Sequence, residues 1–163
     1  IGLLGLSQAI QRGVFGPEWE FHGVGAVDGG DRIGLGGGAV LELIPRLDQD
    51  EYAKLLTGHD IGLALMATPH PSLVPLEMAS AALVTVTNSF ETKTADAMAA
   101  LAGNIIAAPP SLEGVIDGLR QACDRVGDHR ARIAGARVDW SQDWEDSFGP
   151  EVIGEITGLL DRT

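Results

Sequence analysis

The chain has 163 residues, 45% of them apolar and 21% charged, proportions of one globular domain that exclude a disordered polymer. No apolar run reaches the roughly 18 residues of a membrane-spanning helix, and no heptad or fixed-period repeat runs through the chain. Eleven Lys and Arg stand against 23 Asp and Glu, a formal charge of −12, a balance that disfavours nucleic acid, whose phosphates need clustered cations, and that makes an anionic membrane surface repel the chain on average while leaving room for local basic sites.

Residues 2–12 (GLLGLSQAIQR) place Leu3, Leu6, Ala9 and Ile10 at helical spacing, and Gly13 ends the helix. Residues 19–24 read as a short strand. A glycine-dense stretch follows over 23–38, with a turn at Asp28-Gly29-Gly30-Asp31. Residues 39–44 form a second strand, closed by Pro45. Asp48 caps a helix running to residue 56, because its carboxylate accepts from free N–H groups at the helix start. Residues 61–66 (IGLALM) are apolar on both faces, as in a central parallel strand. Pro75 opens a helix with Glu77 in its first turn. Strands at 83–87 and 104–107 flank an Ala-rich helix over 92–102. From Ser111 onward, Leu112, Val115, Ile116, Leu119, Ala122, Cys123 and Val126 make one apolar stripe. A polar stretch, 127–138, precedes a helical tail over 139–163. There Trp140, Trp144 and Phe148, at four-residue steps, share a face.

Short apolar strands separated by helices predict an α/β fold, a Rossmann-like doubly wound, mostly parallel sheet with helices on both faces. One domain spans 1–163. Ligands in such sheets bind beyond the carboxyl ends of the strands, here the loops at 25–38, 44–48, 66–75 and 87–93. The chain begins at Ile1 with no signal-like segment, which reads as a fragment or a processed product. A lone cysteine, Cys123, excludes an internal disulfide and fits a reducing compartment. It sits on the apolar stripe and reads as core rather than nucleophile.

Several motifs are weak. Gly34, Gly36 and Ala39 satisfy G-x-G-x-x-A, but strand-like AVLELIP follows where a dinucleotide site needs a helix N-terminus. A turned loop explains the glycines better than NAD. Asp48-Gln49-Asp50 could hold a divalent cation, but capping explains it. His22, His59, His70 and His129 show no metal-ligand spacing, so no metal is expected.

Residues 60–90 carry more. A strand ends near Met66, and a loop then holds Pro69, His70, Pro71 and Ser72. The free amides at the next helix start suit an anion. Glu77 could accept hydrogen bonds from vicinal hydroxyls, or could merely complement the helix dipole. The residues alone leave both readings open.

The stretch PLEMASAALVTVTN resembles the P-x-E-A-M-A-x-G-x-P-V-V segment in the nucleotide-binding half of retaining GT-B glycosyltransferases. Upstream, VLELIPRLDQDEYAKLLTGHDIGLALM is similar to the strand, loop, helix and strand that lead into that segment. TPHPS, EYAKLL, DIGLALM and PLEMA are most similar to rhamnosyltransferases of bacterial surface-polysaccharide synthesis. The likeness runs from about residue 19 to 160. It implies that the chain is the C-terminal half of a GT-B fold, and that Glu77 matches the second glutamate of an E-x7-E motif that holds the donor ribose. Pro69 stands where the first glutamate would be, which suits a deoxysugar donor. His70, Ser72, Leu73 and Val74 then occupy the turn that faces the diphosphate and sugar. Arg46 and Leu47 match the segment that contacts the base, although Arg46 could be only a surface charge and His70 only a solvated loop residue. Asn88, closing the next strand, completes the implied donor-binding set.

No R-x4-K pair is present, so phosphate-binding cations are expected upstream, and no catalytic residue is assigned. The implied partners are a nucleotide-sugar donor, with dTDP-rhamnose the case the likeness favours, and a glycan or lipid-linked acceptor held by an N-terminal domain. No cofactor beyond that substrate is expected. The implied location is cytoplasmic, at the inner face of the cell membrane where lipid-linked acceptors sit. A non-catalytic Rossmann-like nucleotide-binding or interaction module and an NAD-linked oxidoreductase are the rival readings.

Overall fold

A computed structural model describes residues 1–27, 30–141 and 143–160. The Asp28-Gly29 half of the expected turn, and residues 142 and 161–163 of the expected tail, lie outside the described residues. Helix α1 (Gly2–Gln11) is followed by strands β1 (Phe21–Ala26), β2 (Arg32–Gly36) and β3 (Ala39–Pro45). Then come α2 (Gln49–Thr57), β4 (Ile61–Leu63), α3 (Leu73–Ser80), β5 (Val84–Asn88), α4 (Ala95–Leu101), β6 (Ile105–Ala108) and α5 (Leu112–Val126). The chain closes with α6 (His129–Gly135), α7 (Trp144–Ser147) and α8 (Pro150–Leu160).

The α/β fold is the expected one, with mostly parallel strands, but among the described residues the strands form two three-stranded sheets rather than one. In the first, β1 runs parallel to β3, and β2 pairs antiparallel on the far side of β3. In the second, β5 lies between β4 and β6 and is parallel to both. Helices cover both faces. On β5, Val84 and Val86 point into a core with Ala9 of α1, Phe15, and Val115, Ile116, Leu119 and Ala122 of α5. Thr85 points the other way and pairs with Ile105, which joins Leu76 and Ala79 of α3 and Met98 of α4. So α1 and α5 lie on one face, α3 and α4 on the other.

The stripe on α5 packs as its spacing requires, and the helix comes unusually close. A Cβ at Gly118 would meet Val86 at 2.9 Å, and one at Gly5 would meet Val115 at 2.7 Å. These two small residues let α1, α5 and β5 stack in contact. Cys123 packs against the same core. Burial first, and Asp124 second, push its thiol up to about 11. A free thiol titrates near 8.5. Iodoacetamide at pH 8 should therefore alkylate Cys123 about 100-fold more slowly in the native chain than in urea, as read by mass spectrometry.

Four expectations need correction. The glycine-dense stretch contains β2, where Leu35 is buried between exposed neighbours. Its alternation is hidden by Gly34 and by the Gly36–Gly38 turn. Residues 127–138 contain α6, capped by Asp128, whose side chain accepts from Ala131 N at 2.9 Å. Helix α3 begins at Leu73, with Ser72 as N-cap and Pro75 as third helical residue. An N–H is not needed there, because first-turn amides have no intrahelical partner. Glu77 therefore lies in the second turn, past the reach of a first-turn dipole effect. Finally, the aromatic trio is split. Trp144 stacks on Phe148 at 5.4 Å, whereas Trp140 packs edge-on against His70 at 5.8 Å. Four-residue steps share a face only within one helix, and Trp140 precedes α7.

Candidate functional site

The loops at the carboxyl ends of the strands carry the expected residues. Asp48 makes a capping box at the start of α2, accepting from Glu51 N at 2.8 Å while the Glu51 side chain takes the Asp48 N–H at 3.3 Å. That accounts for the D-x-D triplet by helix geometry. The cap fixes α2 close after the Pro45-Arg46-Leu47 turn, so Tyr52 reaches back beside it. Arg46, Leu47 and Tyr52 line a cavity of about 880 Å³ together with Val74 of α3.

Glu77 is exposed on α3. Its negative charge still reaches Tyr52, whose hydroxyl is pushed above its usual range by burial first and by Glu77 second. Glu77 thus stands next to the cavity wall without lining it.

The 66–72 loop is held from below. Asn88 accepts from Met66 N at 2.7 Å and donates to Met66 O and Ser89 O, both at 3.1 Å. Lys93 donates to the same Met66 carbonyl at 2.7 Å. Its side chain is only 2% exposed, and that burial lowers its pKa from the usual lysine value. Two polar side chains therefore grip one residue at the base of the loop.

At the top of the loop, His70 Nδ1 accepts from Ser72 N at 2.9 Å. The other ring nitrogen, Nε2, is left as the donor of the neutral ring. Trp140 from the tail supports the ring edge-on. Ser72 itself is held at φ 70, a conformation costly to a residue with a Cβ and one that gathers at binding loops. It makes no side-chain cap, so the first amides of α3 are uncapped by side chains.

The structure thus brings Arg46, Leu47 and Val74 to one cavity and sets Glu77 beside it. His70 and Ser72 lie on the adjoining loop and Leu73 opens α3, all three outside the cavity lining. Asn88 is buried beneath that loop with its amide committed to Met66 and Ser89. Tyr52 and Lys93 were not singled out from sequence. Tyr52 is the one tyrosine of the chain, one turn into a capped helix, which was the available signal. Lys93 falls within the Ala-rich helix expected over 92–102, where no local pattern marks it for burial, and it lies just before α4.

His22 and His59 also line the cavity and meet at 2.9 Å, Nδ1 to Nε2. The Leu55 carbonyl can only accept, at 2.7 Å from His59 Nδ1. His59 therefore carries its proton on Nδ1 and accepts at Nε2 from His22. Among the described residues no three His, Cys, Asp or Glu side chains converge as metal ligands. Gly34 and Gly36 belong to a hairpin between β2 and β3, so strand follows them and not a helix N-terminus. Among the described residues no helix is long and apolar enough to cross a membrane.

A family model described as "WsaF, C-terminal domain" matches residues 1–120. The O-antigen biosynthesis protein RfbC of Myxococcus xanthus is 31% identical over 163 residues, covering 98% of this chain. The chain spans 12% of that relative's length.

Proposed function

The chain belongs to the WsaF C-terminal domain family, and from that premise we propose that it is the donor-binding domain of a glycosyltransferase of cell-surface polysaccharide synthesis. The observation that carries this reading is the meeting of the Arg46-Leu47 turn, Tyr52 and Val74 in one cavity, with Glu77 beside it. A base fits against the turn and the tyrosine. The Glu77 carboxylate is exposed and free to accept from the pentose hydroxyls, both of them in a UDP or GDP donor and the 3′-hydroxyl alone in a dTDP donor. The uncapped amides of α3, with the His70 Nε2 donor, face an anion such as a diphosphate.

The name of the O-antigen relative supports a polysaccharide product. The donor in this reading is a nucleoside diphosphate sugar. Pro69, where a sugar-binding carboxylate would otherwise stand, favours a deoxysugar such as the rhamnose of dTDP-rhamnose. The transfer breaks the bond from the anomeric carbon to the diphosphate, forms one to an acceptor hydroxyl oxygen and retains the anomeric configuration, and charge on the departing diphosphate is met by helix amides and by cations from outside this chain's described residues rather than by a metal. The acceptor is a glycan or lipid-linked glycan, held by another domain at the cytoplasmic face of the membrane.

Calorimetric titration of the natural full-length protein with dTDP, UDP, GDP and NAD tests the reading. One nucleoside diphosphate should bind saturably, and Glu77→Ala should weaken it by about 1.5–3 kcal/mol, roughly 10- to 150-fold in Kd. An unchanged Kd would remove Glu77 from ribose binding. Binding of NAD alone would replace the reading with an oxidoreductase. Binding of a nucleotide without sugar transfer to any glycan would leave a non-catalytic module.

A further inference from the structure

A second cavity, of about 480 Å³, lies at the carboxyl ends of β5 and β6, within the roughly 300–1,000 Å³ of small-molecule sites. Ser89, Phe90 and Glu91 of the turn after β5, Thr94 before α4, and Pro109 and Pro110 after β6 line it. The turn holds this wall in one shape. Phe90 N donates to Lys93 O at 3.0 Å and Lys93 N to Phe90 O at 2.9 Å, which closes the chain tightly around Glu91 and Thr92. Glu91 is held at φ 47, a region that is costly to a residue with a Cβ and that gathers at ligand clamps. Both ends of the turn are fixed. Lys93 is anchored to Met66 O, and Ser89 N donates to Ala108 O at 2.7 Å.

The lining selects a class of ligand. Phe90 is half-buried, and Pro109 and Pro110 are exposed apolar rings. Beside them stand polar groups with capacity to spare. The Glu91 carboxylate and the Ser89 hydroxyl have no hydrogen-bond partner among the described residues. Thr94 Oγ1 accepts from Ala97 N at 3.1 Å, which leaves its O–H free to donate. Behind the wall, Thr87 pairs with Ala107, which also lines the cavity, so their side chains share a face. Thr87 is fully buried and its hydroxyl has no partner among the described residues. A hydroxyl or water entering at Ala107 would satisfy it. The one ionic group of the lining is a carboxylate, so the cavity repels phosphate and other anions, and no third ligand stands by for a metal among the described residues. A neutral ring with an apolar C–H face and hydroxyls at its rim meets every one of these surfaces. Its face lies on Phe90 and the prolines, and its hydroxyls reach Glu91, Ser89 and Thr94.

We infer that this cavity is a subsite for one pyranose ring of the acceptor glycan. The inference rests on the donor-domain reading and gives this domain a contact of its own with an acceptor that another domain holds. Position argues for the acceptor rather than the donor sugar. The nucleotide is assigned to the cavity of Arg46, Leu47, Tyr52 and Val74, and its diphosphate to the loop after β4. The second cavity begins one strand further along the sheet, after β5. The Asn88-Ser89 segment separates the two: Asn88 grips Met66 on the donor side, and Ser89 lines the second cavity. Neighbouring strands are about 4.8 Å apart, so a ring held here lies beside a sugar at the donor loop and not in its place.

Saturation-transfer difference NMR on the natural full-length protein tests this. The probes are the methyl glycosides of rhamnose, glucose, galactose and mannose at millimolar concentration, and the competitors are dTDP-rhamnose, UDP-glucose and GDP-mannose. At least one glycoside should receive saturation from the protein, and no nucleotide sugar should displace it. Glu91→Gln changes an exposed side chain and should weaken that glycoside about tenfold, the scale of one hydrogen bond to a charged group, with the melting temperature unchanged. Phe90→Leu keeps the apolar packing, removes the flat face and should abolish the signal. Amide exchange over residues 88–95 should slow when the glycoside is added. The inference is overturned by silence from all the glycosides, by wild-type affinity in both variants, or by protection that appears only outside this cavity. Displacement by a nucleotide sugar overturns it too, because the ring is then the donor's own. Nucleotide binding without glycoside binding removes the subsite and leaves the donor-domain reading intact. Glycoside binding without nucleotide binding removes the donor-domain reading, and with it the acceptor role of the ring.

Discussion

Arg132→Met should lower the melting temperature by about 6–12 °C. Arg132 is 9% exposed and lies in α6, the helix hidden in the polar stretch. Its Nε donates to Ala82 O at 2.9 Å, and Nη1 donates to Val126 O at 3.1 Å and to Asp60 at 2.8 Å. One guanidinium thus ties the end of α3, the end of α5 and the start of β4. Methionine keeps the stem volume but leaves two carbonyls without their donor. Losing charged hydrogen bonds in a buried setting costs about 3 kcal/mol. For a chain of this size each kcal/mol moves the midpoint by about 2–4 °C. Asp60 is 55% exposed, so Asp60→Asn should cost under about 1 kcal/mol. Thermal melts of both variants check the contrast. Equal losses would mean that the ion pair, not the carbonyls, carries the effect.

Asn88→Ala should cost about 3 kcal/mol of stability and also abolish nucleotide binding. Asn88 is 6% exposed, and its amide is fully engaged with Met66 and Ser89. Alanine leaves Met66 N without an acceptor and one side of Met66 O dependent on Lys93 alone. Met66 is 39% exposed, so water meets part of what is freed, and each of the three lost hydrogen bonds costs about 0.5–1.5 kcal/mol. The 66–72 loop then loses its anchor, and with it the placement of His70 and Ser72. Glu77→Ala, by contrast, removes an exposed carboxylate and should weaken binding with the melting temperature unchanged. Denaturation and titration on the same two variants separate the roles. Full nucleotide affinity in Asn88→Ala would show that the loop keeps its shape without this anchor.

The regular elements were legible where sequence carries a physical cause for them. Asp48 and Ser111 announce α2 and α5 because their side chains cap. The α5 stripe is continuous because that helix lies along the sheet. Strand β2 was hidden because glycine replaces the residues that would mark its alternation. Helix α6 was hidden because seven residues make too little of a stripe, and because its one buried side chain is an arginine. Arg46, Leu47 and Val74 line one cavity, and the grip of Asn88 and Lys93 on Met66 spans 22 and 27 residues. No local pattern encodes such a contact. The split of the sheet into halves was equally invisible, since it depends on which strand edges meet in space.

The docking of α1 on α5 has a consequence for biogenesis. Arg12 and Glu113, which link the two helices, are 101 residues apart in the chain. Strands β4, β5 and β6 each pair with the next through a single short helix, within residues 61–108. Local contacts form quickly and distant ones late. A ribosome adding about 5–20 residues per second releases α1 several seconds before its partner exists. Through that interval Leu6, Ala9 and Phe15, all destined for the core, have nothing to pack against, and a chaperone has time to hold them. The part of the chain made second folds first and then serves as the template on which the part made first is completed.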